Sequence, residues 1–126
     1  MTKGPHRQRA TMVSTGNLFS LIPKKLKEEQ INELFVTEDV RIERIVSRGQ
    51  ACGEDDWYDE EEAEWVLVLS GAARLQFEDE AEPRALGPGD YLYIPPRKRH
   101  RVAWTHPDDT TVWLAVHFRW NRILQS

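Results

Sequence analysis

The chain has 126 residues, 30% of them charged and 40% hydrophobic, with a net charge of -4, the profile of one soluble domain with room for a core of its own. Mild acidity argues against a nucleic-acid binder, which would want a basic stripe, and the single cysteine, Cys52, allows no internal disulfide. No apolar run is long enough to span a bilayer and the basic start lacks the apolar stretch of a secretory signal, so no membrane association and a cytoplasmic location are expected.

Residues 1–16 are polar, basic and rich in Gly, Ser and Thr, and read as a flexible arm. Residues 17–126 read as a single domain. In "NLFSLIPKKLKEEQINELF", Pro23 suits a first helical turn, and Leu26, Ile31, Leu34 and Phe35 make an apolar stripe opposite Lys and Glu. That spacing predicts one short helix over about 24–35. From Val36 the pattern becomes one of short strands. "VRIERIVS" is β-rich, "EWVLVLSG" is an apolar run stopped by Ser-Gly, and "ARLQFE" alternates, with Ala73, Leu75 and Phe77 on one face. "DEAE" and "LGPGD" are turns. "YLYIP", "HRVAW" and "TTVWLAVHF" complete the strands, with "THPDD" turning between the last two. Strands this short, with turns every eight or so residues, predict an all-β sandwich or barrel.

Glu64 heads the apolar run Trp65–Leu69. A carboxylate there is either the solvated end of a strand or a group aimed into a pocket. The spacing around it has a counterpart downstream: Glu64 and then Gly71, Gly89 and then Pro95 and His100. This order resembles the two motifs of the cupin superfamily, G-x5-H-x-H-x4-E-x6-G and G-x5-P-x-G-x2-H-x3-N, over about residues 36–120. The resemblance implies a jelly-roll β-sandwich barrel (a double-stranded β-helix) with its site between the sheets. It also implies a small-molecule ligand and a homodimer. In metal-binding cupins the two first-motif histidines, the glutamate and the second-motif histidine hold one divalent ion.

This chain departs from that pattern. The H-x-H positions are Trp57 and Asp59, the second-motif glycine is Arg97, and the asparagine is Trp104. Glu64 and His100 keep their places. With Asp59 standing in, the metal set implied is Asp59, Glu64 and His100. It is carboxylate-rich and expected to bind weakly, with Mn or Fe favoured and Zn or Ni next. Alternatively Tyr58 turns inward through a shift in its loop. Without a metal, a Glu64–His100 pair satisfies both groups and suits acid–base work, so these two are the catalytic candidates. Trp57, Tyr58, Trp104 and His117 are candidates to line the ligand pocket. His117 does so if Trp113, Ala115 and His117 form the inward face of the last strand.

The remaining features carry less. Residues 54–64, "EDDWYDEEEAE", hold eight carboxylates in eleven positions, without the spacing or glycine of an EF-hand, and read as a solvated loop. Cys52 has acidic neighbours, which raise a thiol pKa rather than activate it. His6 and His106 read as surface. "PRKRHR" is a basic cluster that either draws an anion to the cavity mouth or pairs with the acidic loop. No Gly-rich phosphate loop or nucleotide-type cofactor site is present. Two functions stay open: an enzyme using a weak metal site, and a metal-free binding or dimerisation module.

Overall fold

The computed structural model describes residues 12–119; most of the N-terminal arm expected over 1–16 lies outside them. Eight strands follow one another: β1 (Gln30–Val36), β2 (Val40–Ser47), β3 (Ala63–Ser70), β4 (Ala73–Phe77), β5 (Arg84–Leu86), β6 (Tyr91–Ile94), β7 (His100–Thr105) and β8 (Thr111–Phe118). They form a five-stranded sheet, β1-β2-β8-β3-β6, and a three-stranded sheet, β5-β4-β7. Every pairing is antiparallel. Among the described residues no helix is long and apolar enough to cross a membrane.

Alternation builds the core. Ala73, Leu75 and Phe77 of β4 are buried while Arg74 is exposed, and they meet Val66, Val68, Leu86, Ile94 and Trp113 between the sheets. The crossing from β3 to β4 depends on Gly71. Its φ is +86°, and a Cβ there would lie 2.4 Å from the Thr111 hydroxyl and 2.7 Å from the Thr110 carbonyl oxygen. A side chain would be strained and obstructed at once.

The helix expected over 24–35 does not form. Residues 24–29 are irregular and Gln30–Val36 is an edge strand on β2, running from Gln30↔Val46 to Val36↔Arg41. A β-bulge between Glu33 and Phe35 explains the misleading pattern. The extra residue shifts the strand's phase, so its apolar residues recur at helix-like intervals. A helix of this length is marginal in water, whereas pairing with β2 satisfies the same backbone groups.

Candidate functional site

The site grows out of the register of the large sheet. Arg41 pairs with His117 across β2 and β8, and His117 pairs with Glu64 across β8 and β3. Three polar side chains therefore stand in one row on the inward face. The next row is Glu43, Ala115 and Val66, and the one below is Ile45, Trp113 and Val68. Ala115 offers only a methyl group, which leaves Glu43 room to reach His117. Glu43 Oε1 lies 3.1 Å from His117 Nε2. Trp113 forms the floor, and Leu75, His100 and Val102 face these rows from the small sheet. The result is a cavity of about 210 Å³.

His100 is buried, and the loop before β3 is clamped to it. The Tyr58 amide donates to the His100 carbonyl (2.7 Å), and the His100 amide donates back to the Tyr58 carbonyl (3.2 Å). This pairing sets the phase of the loop. Tyr58 and, two residues on, Glu60 line the cavity, while Trp57 and Asp59, of the opposite parity, face away. Trp57 lies 5.6 Å from the Arg101 guanidinium, and Asp59 pairs with Arg97 at 3.3 Å. Trp104 packs against Arg74 and His106. Of the expected site residues the fold thus brings together Tyr58, Glu64, His100 and His117 and leaves Trp57, Asp59 and Trp104 outside the cavity.

His100 Nδ1 lies 2.7 Å from the Lys98 carbonyl oxygen. A carbonyl only accepts, so Nδ1 carries the proton and Nε2 faces Glu64 Oε1 at 3.4 Å. Burial pushes the His100 pKa down, but the hydrogen bond to Glu64 and the Lys98 carbonyl together carry it above its ordinary value. His117 is placed differently. Its Nε2 meets Glu43, while its Nδ1 is buried without a hydrogen bond, 3.7 Å from Glu60 Oε2. Glu60, Glu62 and His117 form an acidic–histidine cluster whose ligand-type atoms all lie within 4.8 Å of one another. Burial raises the Tyr58 pKa, helped by a hydrogen bond with Cys52. Burial also raises Glu29, against a hydrogen bond from Ser47 and together with the charges of Glu43 and Glu64.

Glu29, Arg41, Glu43 and Glu60 belong to the cavity and were not among the sequence candidates. Glu43 was legible only in part: it shares the parity of the apolar Ile45, but Arg41, Arg44 and Ser47 make β2 as a whole a mixed strand. Glu60 was hidden in the acidic run. The basic cluster is spent within the chain: Arg97 pairs with Asp59 and Glu61, Lys98 with Asp79, and Arg99 with Glu78.

The family model described as a cupin domain matches residues 45–117. The chain belongs to the cupin family. This cupin is 44% identical to a protein of Ralstonia eutropha JMP134 whose crystal structure is described as a candidate mannose-6-phosphate isomerase; the match covers 84% of this chain and 98% of that one, with a TM-score of 0.82. A cupin superfamily protein of Desulfitobacterium hafniense DCB-2 is 22% identical over 79% of this chain and 84% of that one, with a TM-score of 0.65. An RmlC-like cupin of Methanocaldococcus jannaschii with a double-stranded β-helix fold is 20% identical over 83% and 93%, with a TM-score of 0.62. The last two show the cupin's fold alone. No curated protein matches it.

Proposed function

We propose that this cupin is an enzyme that moves a proton on a small polar molecule bound inside the barrel, with Glu64 and His100 as the acid–base pair. The observation that carries this reading is their contact at 3.4 Å in a cavity whose apolar wall includes Val66, Leu75, Val102 and Trp113. The Lys98 carbonyl fixes the His100 tautomer, so Nε2 is the nitrogen that takes or returns the proton. Glu64, which that nitrogen faces, stabilises the imidazolium and passes the proton between His100 and the bound molecule.

The metal implied by the family would sit at the positions of Trp57, Asp59, Glu64 and His100. Trp57 and Asp59 face away, and the other two meet each other directly. That four-ligand set is not assembled, so the mechanism uses the pair alone.

The Ralstonia relative is described as a candidate sugar-phosphate isomerase, and moving a proton between neighbouring carbons is a step such a pair can perform. The phosphate suits this cavity less well. Glu29, Glu43, Glu60 and Glu64 face it, against Arg41 alone, and an added anion would be repelled. A neutral sugar or other polyhydroxy carbonyl compound fits the charge better. The volume is of the order of seven waters, which sets the scale of the ligand.

The test is proton exchange with solvent. Aldoses and ketoses, with and without phosphate, are incubated with the protein in D2O and followed by NMR. Deuterium should enter at the carbon beside the carbonyl, and Glu64→Gln and His100→Asn should slow this by about 10²–10⁴-fold. Equal rates in wild type and variants would overturn the reading. Saturable binding without exchange would favour the non-enzymatic binding module instead.

The family resemblance also supports a homodimer, and the described surface adds to it. Tyr91 and Tyr93 are 63% and 44% exposed on β6, an edge of the large sheet, and exposed aromatic edges invite pairing. Light scattering at micromolar concentration should give twice the monomer mass.

A further inference from the structure

We infer that the barrel mouth carries a divalent-cation site built from His117 Nδ1, Glu60 and Glu62. None of the three occupies a metal position of the cupin motifs. The inference starts from the His117 ring, whose side chain is only 7% exposed. Its Nε2 lies 3.1 Å from Glu43 Oε1 and so carries the hydrogen, which leaves Nδ1 with a bare lone pair. That nitrogen has no hydrogen bond, and the nearest carboxylate oxygen, Glu60 Oε2, is 3.7 Å away. His117 Nδ1 is buried while Glu60 is partly open to solvent, and a cation between these two acceptors, a proton or a metal ion, relieves their repulsion.

The surroundings fit a metal ion. A carboxylate behind the far nitrogen of an imidazole fixes its tautomer and raises its basicity toward a metal, and Glu43 stands in that place. Glu62 brings a second carboxylate within 4.8 Å of both Glu60 and His117. Arg41 now occupies part of this charge. Its Nη1 lies 3.1 Å from Glu62 Oε1 and its Nε 3.1 Å from Glu43 Oε2. The guanidinium therefore competes with an incoming ion for Glu62, while its bond to Glu43 supports the imidazole.

One imidazole and two carboxylates suit Mn²⁺ or Fe²⁺ over Cu⁺. Ca²⁺ prefers an all-oxygen shell. Three protein ligands leave positions for water or for oxygens of a bound molecule. A cation here would also offset the negative charge of the cavity and so admit ligands that the bare carboxylates repel.

The probe is Mn²⁺ alone, titrated into the full chain and followed by the EPR signal of the free ion. Saturable binding of one ion is expected. Glu60→Gln and Glu62→Gln, both at partly exposed positions where the fold should persist, should each weaken it at least tenfold, and Glu43→Gln should weaken it by about 10–100-fold. Arg41→Gln, which frees Glu62, should tighten it severalfold. His100→Ala should leave it unchanged, so failure of this site and failure of the Glu64–His100 reading are separate results. No saturable binding would overturn the site. So would binding lost in His100→Ala yet kept in Glu62→Gln, because the ion would then sit at the motif positions.

Discussion

His100 is held from both sides, by the Lys98 carbonyl and by Glu64, and its pKa lies above the ordinary value because these partners outweigh burial. A folded-state pKa above the unfolded one stabilises the fold fully below about 6.5, the unfolded value, and this contribution fades as pH rises through the folded pKa. Denaturant unfolding at pH 6 and pH 8 should therefore show a larger gap between wild type and His100→Asn at pH 6, and the His100 ring resonances should titrate above 6.5. Arg97 poses a different case. It stands where the motif has glycine, and its φ is +64°, a conformation that costs a non-glycine residue roughly 1–2 kcal/mol. Its guanidinium reaches Asp59 and Glu61 at exposed positions, where ion pairs contribute only about 0–1 kcal/mol each. Arg97→Gly should thus unfold at the same denaturant concentration as wild type or higher, while Arg97→Val should be clearly less stable. The motif glycine is absent from the sequence, yet the backbone it serves is kept.

Parity decides what each strand contributes. In β4 it was legible, since Ala73, Leu75 and Phe77 alternate with polar residues and all three are buried. Leu75 is 3% exposed and touches both core and cavity, so Leu75→Ala should lose about 2–5 kcal/mol in chemical denaturation. In β1 parity was not legible, because a bulge at Glu33/Phe35 breaks the period that identifies a strand. The site divides the same way. Glu64 and His100 could be placed from spacing, since regular strands carry them. Glu60 could not, and Tyr58 stood only as the alternative of a shifted loop, because their direction depends on a backbone pairing of Tyr58 with the distant His100, which no local pattern encodes. Gly71 was read as punctuation after a strand, and its close approach to Thr111 gives that reading a physical content. Gly71→Ala should fold poorly or lower the melting temperature by several degrees, since a shift of about 2–8 °C accompanies each kcal/mol across the size range that brackets this chain.

At the scale of the whole molecule, two sheets place their polar residues at one end of a shared apolar interior. Outside that end the basic residues Arg97, Lys98 and Arg99 after β6 face the acidic residues of the loops before β3 and after β4. Inside it, negative charge is left in excess. The clamp between Tyr58 and His100 makes that excess a matter of odd and even numbers. The acidic run contains two interleaved linings, Tyr58 with Glu60 and Trp57 with Asp59, and only one can face the barrel at a time. A slip of a single residue against His100 would exchange them, turning the motif's own positions inward without changing any amino acid. Loop length, rather than substitution, is therefore the variable by which a close relative of this chain could recover the ligand geometry that this one has turned outward.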